Sequence, residues 1–213
     1  ALCFAWLLPG LSGCANIIPP TGGPKDSLPP VLVRANPDTN ALHFNSNKIV
    51  LTFDEYIDLK DVRKNLIVSP VPKSEPYVEY KLKTITIRIK DTLQPNTTYS
   101  LNFGRAVVDN HEGNVLKDFT YVFSTGNYID SLEYSGKVVM ASTGKPDSTL
   151  IVLLHDKLDD SAVVKEKPRY ITRLDSSGNY TFRHIKPGTY ALYALKDESG
   201  FHTYTTKAQV FAF

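Results

Sequence analysis

The sequence predicts an all-β protein made of two consecutive β-sandwich domains. Three observations carry that expectation. From Val31 onward, run after run alternates apolar and polar residues with period two, the pattern of a strand with one buried face. Pro, Asn, Asp and Gly punctuate the runs, and these residues favour turns. Helical spacing of apolar residues never extends beyond a turn or two around residues 58–65.

The first set of runs is clear. Ile49, Leu51 and Phe53 face one way while Val50, Thr52 and Asp54 face the other. Ile85, Ile87 and Ile89 alternate with Thr84, Thr86, Arg88 and Lys90; Tyr99, Leu101 and Phe103 alternate with Thr98, Ser100 and Asn102. Phe119, Tyr121 and Phe123 alternate with Thr120, Val122 and Ser124. Runs at Val31–Arg34, Leu66–Val68 and Tyr77–Leu82 complete about seven strands, and two sheets with one buried face each are the economical way to hide them. A link at Asn127–Asp130 leads to a second set, at Tyr134–Met140, Thr149–His155, Tyr170–Leu174, Tyr180–His184 and Thr189–Leu195. Residues 175–179 and 186–188 read as turns between them.

The first set resembles a bacterial Ig-like domain of the kind found in S-layer-associated proteins and Bacteroidota lipoproteins. The resemblance rests on residues 49–57 (IVLTFDEYI), 93–99 (LQPNTTY), 109–114 (DNHEGN) and Phe123-Ser124-Thr125. It implies a tyrosine corner at Tyr99, with the ring in the core and the hydroxyl bonded to nearby backbone. Residues 175–182, followed by Ile185-Lys186-Pro187-Gly188-Thr189-Tyr190, resemble the hairpin of a transthyretin-like or carboxypeptidase-regulatory-like domain. Such domains are small sandwiches that accompany enzymes and receptors and seldom catalyse. The boundaries expected are 31–126 for the first sandwich and 131–213 for the second, with further chain expected beyond Phe213.

The N-terminal residues point to a compartment. Leu2 to Leu8 form an apolar stretch broken by Pro9-Gly10, and Leu11-Ser12-Gly13-Cys14 has the form of a bacterial lipobox. Residues 1–13 are expected to be the end of a signal peptide, cleaved before a Cys14 that carries the lipid; the alternative is a buried core segment ending in Cys. A stretch this short cannot span a bilayer, which needs about 20 apolar residues. Residues 14–30, rich in Pro and Gly, read as a tether able to hold the first domain up to about 50 Å from the lipid. With Cys3 removed, no disulfide is available and stability must come from packed cores.

A net charge of +2 and the lack of basic clusters interleaved with aromatics argue against nucleic acid as a partner. HExxH, GxSxG, P-loop and dinucleotide fingerprints are absent from the sequence, and no cofactor beyond the covalent lipid is expected. The five histidines fall at no metal-ligand spacing. Asp109, Asn110, Glu112 and Asn114 place oxygen donors around a Gly turn and are the best metal candidates. They lack the alternating donors and distal Glu of an EF-hand loop, and a plain polar hairpin explains them as well. Asp54 and Glu55 point to opposite faces of a strand and cannot form a carboxylate pair. Five Asp-Ser/Thr-apolar triplets, such as Asp91-Thr92-Leu93, resemble O-glycosylation sites of Bacteroidota secreted proteins.

The expected function is that of a non-catalytic lipoprotein. It would be anchored in the outer membrane, facing the periplasm because no acidic cluster follows Cys14, and would act as a scaffold or contact module for an outer-membrane or periplasmic protein. The loops at residues 109–114 and 197–202 are candidate contact sites. Carbohydrate or cell-wall binding through Tyr56, Tyr77, Tyr80, Tyr193 or Tyr204 is the alternative. A further one is an accessory role beside an enzyme encoded downstream.

Overall fold

The computed structural model describes Gly23 and residues 25–197 and 200–212. Its strands are β1 (Leu32–Asn36), β2 (Lys48–Phe53), β3 (Ile57–Leu59), β4 (Ile67–Ser69), β5 (Tyr77–Lys81), β6 (Thr84–Arg88), β7 (Thr98–Asn102), β8 (Val107–Asp109) and β9 (Thr120–Ser124) in the first domain. The second domain holds β10 (Leu132–Lys137), β11 (Leu150–His155), β12 (Tyr170–Arg173), β13 (Asn179–Ile185), β14 (Ala191–Lys196) and β15 (Phe211–Ala212). Two single-turn helices, α1 (Val62–Asn65) and α2 (Ala162–Lys165), interrupt them.

In the first domain a four-stranded sheet, β1-β2-β6-β5, faces a three-stranded sheet, β4-β7-β9, with the small β3-β8 pair beside them. All neighbouring strands are antiparallel. The alternation in the sequence becomes the core: Ile49, Leu51, Phe53, Ile85, Ile87, Tyr99, Leu101, Phe103, Tyr121 and Phe123 share one buried cluster. Phe123 stacks on Tyr99 at 5.2 Å between ring centres and meets Phe44 at 4.0 Å. The tyrosine corner is present, with the Tyr99 hydroxyl accepting the Gln94 backbone N–H at 2.8 Å.

In the second domain the sheet β12-β11-β14-β15 is covered on one face by the β10-β13 pair. Leu150, Val152, Leu154, Tyr180 and Phe182 fill that layer. Its other face gathers Leu153, Ile171, Tyr193 and Leu195 with Val163 of α2.

Several local expectations shift. The helix foreseen around 58–65 is confined to α1, because Ile57–Leu59 pairs with Val107–Asp109. Those two strands are three residues long, and β8 is buried at every position, so neither alternates. The strand expected over 134–140 runs instead over Leu132–Lys137; Met140 N–H turns back to the Lys145 carbonyl at 2.9 Å. The strand foreseen from Thr189 begins at Ala191, after the Tyr190 hydroxyl donates back to the Lys186 carbonyl at 2.8 Å.

Candidate functional site

Two regions concentrate chemistry that the core does not need. The first is the junction between the domains. Ile67 and Val71 of the first domain pack against the Leu153–Ile171–Tyr193–Leu195 cluster of the second. Val71 N–H donates to the Arg169 carbonyl at 2.8 Å, and Lys167 Nζ reaches the Lys73 carbonyl at 3.0 Å. The link is pinned on both sides: Asp130 N–H donates to Thr98 Oγ1 at 2.8 Å, and its carbonyl accepts His184 Nδ1 at 2.9 Å. Arg173 crosses the junction and donates to the carbonyls of Asn65, at 2.9 Å, and Lys64 at the end of α1. Burial draws the guanidinium pKa below its ordinary value, with the Asp118 carboxylate acting the other way. Buried charges persist only when hydrogen-bonded, and here backbone carbonyls supply that role.

Beside Arg173 lies an interdomain cleft of about 700 Å³. Ser100, Asn102 and Thr120 line it from the first domain, Thr181 and Arg183 from the second. Its polar groups are largely tied to one another. Asn102 Nδ2 donates to Thr120 Oγ1 at 3.0 Å, Thr181 Oγ1 meets Ser135 Oγ at 3.0 Å, and Arg183 pairs with Glu133 at 2.6 Å.

The second region is the end of the first domain where the N-terminal segment meets the sandwich. Asn114 Nδ2 donates to the Asp26 carbonyl at 3.2 Å, and Val31 N–H donates to Asp54 Oδ1 at 2.8 Å. Asp109 sits buried under its loop. Its Oδ1 accepts the backbone N–H groups of His111, Glu112 and Gly113 at 2.8, 2.5 and 3.0 Å, and its Oδ2 accepts that of Asn114 at 2.7 Å. Burial pushes the Asp109 carboxyl up, but the four N–H donors outweigh it and hold the pKa below the usual carboxylate value. These lone pairs are thus turned inward to the loop's own backbone, the geometry of a capped turn. Gly113 adopts φ +77°, which a side chain would resist. Among the described residues, no group of three or more His, Cys, Asp or Glu could hold a metal ion. Glu55 is raised by burial first and then by Asp109, Asp54, Asp26 and Glu112, so this end carries a concentration of carboxylates.

The other predicted residues sort as follows. Cys14 and Leu11, Ser12 and Gly13 lie outside the described residues. Of the five tyrosines, Tyr56, Tyr77 and Tyr80 are exposed, Tyr193 is buried, and Tyr204 packs on Phe211 at 4.8 Å. In the 197–202 loop, His202 Nδ1 pairs with Asp197 Oδ2 at 2.6 Å. Arg173 and Leu82 escaped sequence reading. Arg173 reads as one more polar position of an alternating strand; for Leu82 the signal is an apolar residue between two lysines at a hairpin tip.

Residues 26–125 match the family described as bacterial Ig-like domain. The first domain is thus similar to the bacterial Ig-like domains. Residues 136–211 match the family described as polysaccharide lyase family 4, domain II, an fn3-like domain, in place of the transthyretin-like family that the 175–190 hairpin resembles. That description names a domain and brings no activity to this chain. No curated protein matches the chain. Among solved structures, the N-terminal part of the bacterial S-layer protein SbsC is similar at 17% identity, over 86% of this chain and 43% of that one, with a TM-score of 0.32. An L,D-transpeptidase from Mycobacterium smegmatis is similar at 11% identity, over 76% of this chain and 79% of that one, also with a TM-score of 0.32. The chain spans less than half the length of the two S-layer structures that it matches. Likenesses this distant say nothing of function. Among the described residues, no helix is long and apolar enough to cross a membrane.

Proposed function

We propose that this chain is a non-catalytic lipoprotein of the cell envelope, anchored through Cys14 in the outer membrane and facing the periplasm, where it holds a protein partner. The observation that carries the reading is the interdomain junction. An apolar cluster shared across the domains, a pinned link and the Arg173 clasp make one rigid platform of two sandwiches. Rigidity lowers the ordering cost of binding. Confinement by the acyl chains raises the effective concentration at the membrane. The leader sequence up to Cys14 supports the anchor.

The test is metabolic labelling with palmitate of the native chain and of Cys14→Ser, followed by membrane fractionation and crosslinking in cells. The expected result is label and membrane recovery for the native chain alone, with one stoichiometric envelope partner. Absence of label, or cytosolic recovery, contradicts the anchor. Exposure of Tyr56, Tyr77 and Tyr80 favours a second reading, glycan binding, since solvent-facing rings can stack on sugars. Glycan arrays that give no signal, or a signal unchanged in the triple Ala variant, dispose of it.

A further inference from the structure

The β5–β6 hairpin turns through Leu82-Lys83, and Leu82 holds φ +55°. Tight turns of this kind favour Asn or Gly there, because a branched side chain crowds its own backbone in the left-handed region. The backbone needs the turn, since the Leu82 and Lys83 carbonyls accept the N–H groups of Ile57 and Phe53 at 3.0 and 2.8 Å. Nothing in the turn needs leucine, whose side chain is 63% exposed. An apolar residue placed where it costs both solvation and backbone strain suggests a contact outside the fold.

Its surroundings are of one kind. Tyr56, Tyr80, Val31 and Leu28 are also exposed, and β-strand pairing and the Val31–Asp54 bonds bring them to this same end of the sandwich. Lys83 lies 5.5 Å over the Tyr56 ring and donates to the Asp54 carbonyl at 2.5 Å, while Lys81 flanks Leu82 on the other side. Tyrosines bearing polar tips, an apolar tip and a lysine, Lys81, able to extend its ammonium group suit the boundary between headgroups and acyl chains.

Chain connectivity supplies the direction. Asp26 is held by Asn114 at this end, and Cys14 lies twelve residues before it, at most about 43 Å of extended chain. We propose that this tip rests on the lipid surface, with Leu82, Tyr56 and Tyr80 entering the interfacial layer. The inference builds on the anchor reading, which orients the chain. Asp26, Asp54 and Glu112 act on Glu55 and Asp58 lies at Tyr80; these five carboxylates outnumber Lys60, Lys81 and Lys83 at the tip, so the lipid is of the zwitterionic class and anionic headgroups disfavour contact.

The experiment uses the mature chain that the leader reading expects, residues 14–213 carrying Cys14→Ser and no lipid, and sedimentation with phosphatidylethanolamine/phosphatidylcholine vesicles at millimolar lipid. The unlipidated chain is expected to co-sediment, less so when phosphatidylglycerol is added. Leu82→Asn is expected to reduce partitioning about tenfold, the scale set by removing one leucine side chain from an apolar environment. The same substitution is expected to leave the melting temperature equal or higher, since Asn suits the positive φ. Failure to co-sediment, partitioning unaffected by Leu82→Asn, or binding that requires phosphatidylglycerol overturns the proposal. A missing acyl group on Cys14 in the labelling experiment overturns the anchor and leaves the vesicle result to stand or fall by itself.

Discussion

In the first domain, Phe44, Phe53, Tyr99, Tyr121 and Phe123 all enter one cluster enclosed by that domain's own strands. In the second, the central sheet has two buried faces, and one of them is completed by Ile67 and Val71 from its neighbour. A sheet with two apolar faces needs two covers. The second domain supplies the β10-β13 pair for one and only the short α2 with the 204–211 segment for the other. The difference teaches that the first sandwich is self-sufficient, whereas the second is stabilised by what it docks against.

The strongest way to break that comparison is within the first core. Phe123→Ala removes a fully buried ring that touches Phe44, Tyr99 and Tyr121. It should cost about 3–5 kcal/mol in urea unfolding. Probes in the second domain should report a loss too, because its cover unfolds with the first. A second-domain signal that keeps its native midpoint argues for two independent modules.

Arg173→Met sharpens the comparison at the junction. It leaves the Lys64 and Asn65 carbonyls without their donor and should destabilise by about 1–3 kcal/mol. Hydrogen exchange should quicken in β12 and α1 before it does in β2 or β6. Uniform acceleration across the first sandwich counts against a local clasp.

Asp109→Asn tests the tethered end, which the account makes independent of the junction. Exchanging a carboxylate that accepts four N–H groups for an amide should cost about 1–2 kcal/mol at neutral pH. Because the folded pKa of Asp109 is depressed, its stabilisation is complete above the unfolded carboxyl value of about 3.9. It is lost as pH falls through the lower folded value. The native chain should therefore weaken in acid more than Asp109→Asn does, and parallel acid limbs in the two proteins would refute the assignment. The smallest effect belongs to Tyr99→Phe, which removes the acceptor for Gln94 N–H while keeping the ring, at about 1 kcal/mol by thermal unfolding.

What the sequence reveals divides along the same lines. β2, β6 and β7 alternate because one face meets the core and the other is more open, and Tyr99 announces its corner by its distance from Pro95. β8, β9 and β11 are buried on both faces or nearly so, so their burial does not alternate even though β11 can be recognised as a continuous apolar run. Ile67 and Ile171 look like ordinary strand residues. That they meet across a domain boundary depends on the docking of two folded sheets, and no short-range pattern encodes it. The site at the tethered end was half legible: residues 109–114 stand out as a polar loop, but the inward turn of Asp109 follows from backbone geometry. Leu82 acquires meaning only with its φ and exposure.

The central claim is that the two sandwiches move as one body. It is tested most directly by ¹⁵N relaxation, which gives the rotational correlation time of amides in each domain separately. The account predicts one common tumbling time for β2, β6, β11 and β14, that of a single particle holding both domains and not shortened by interdomain motion. Two shorter and unequal times, one for each domain, would contradict it.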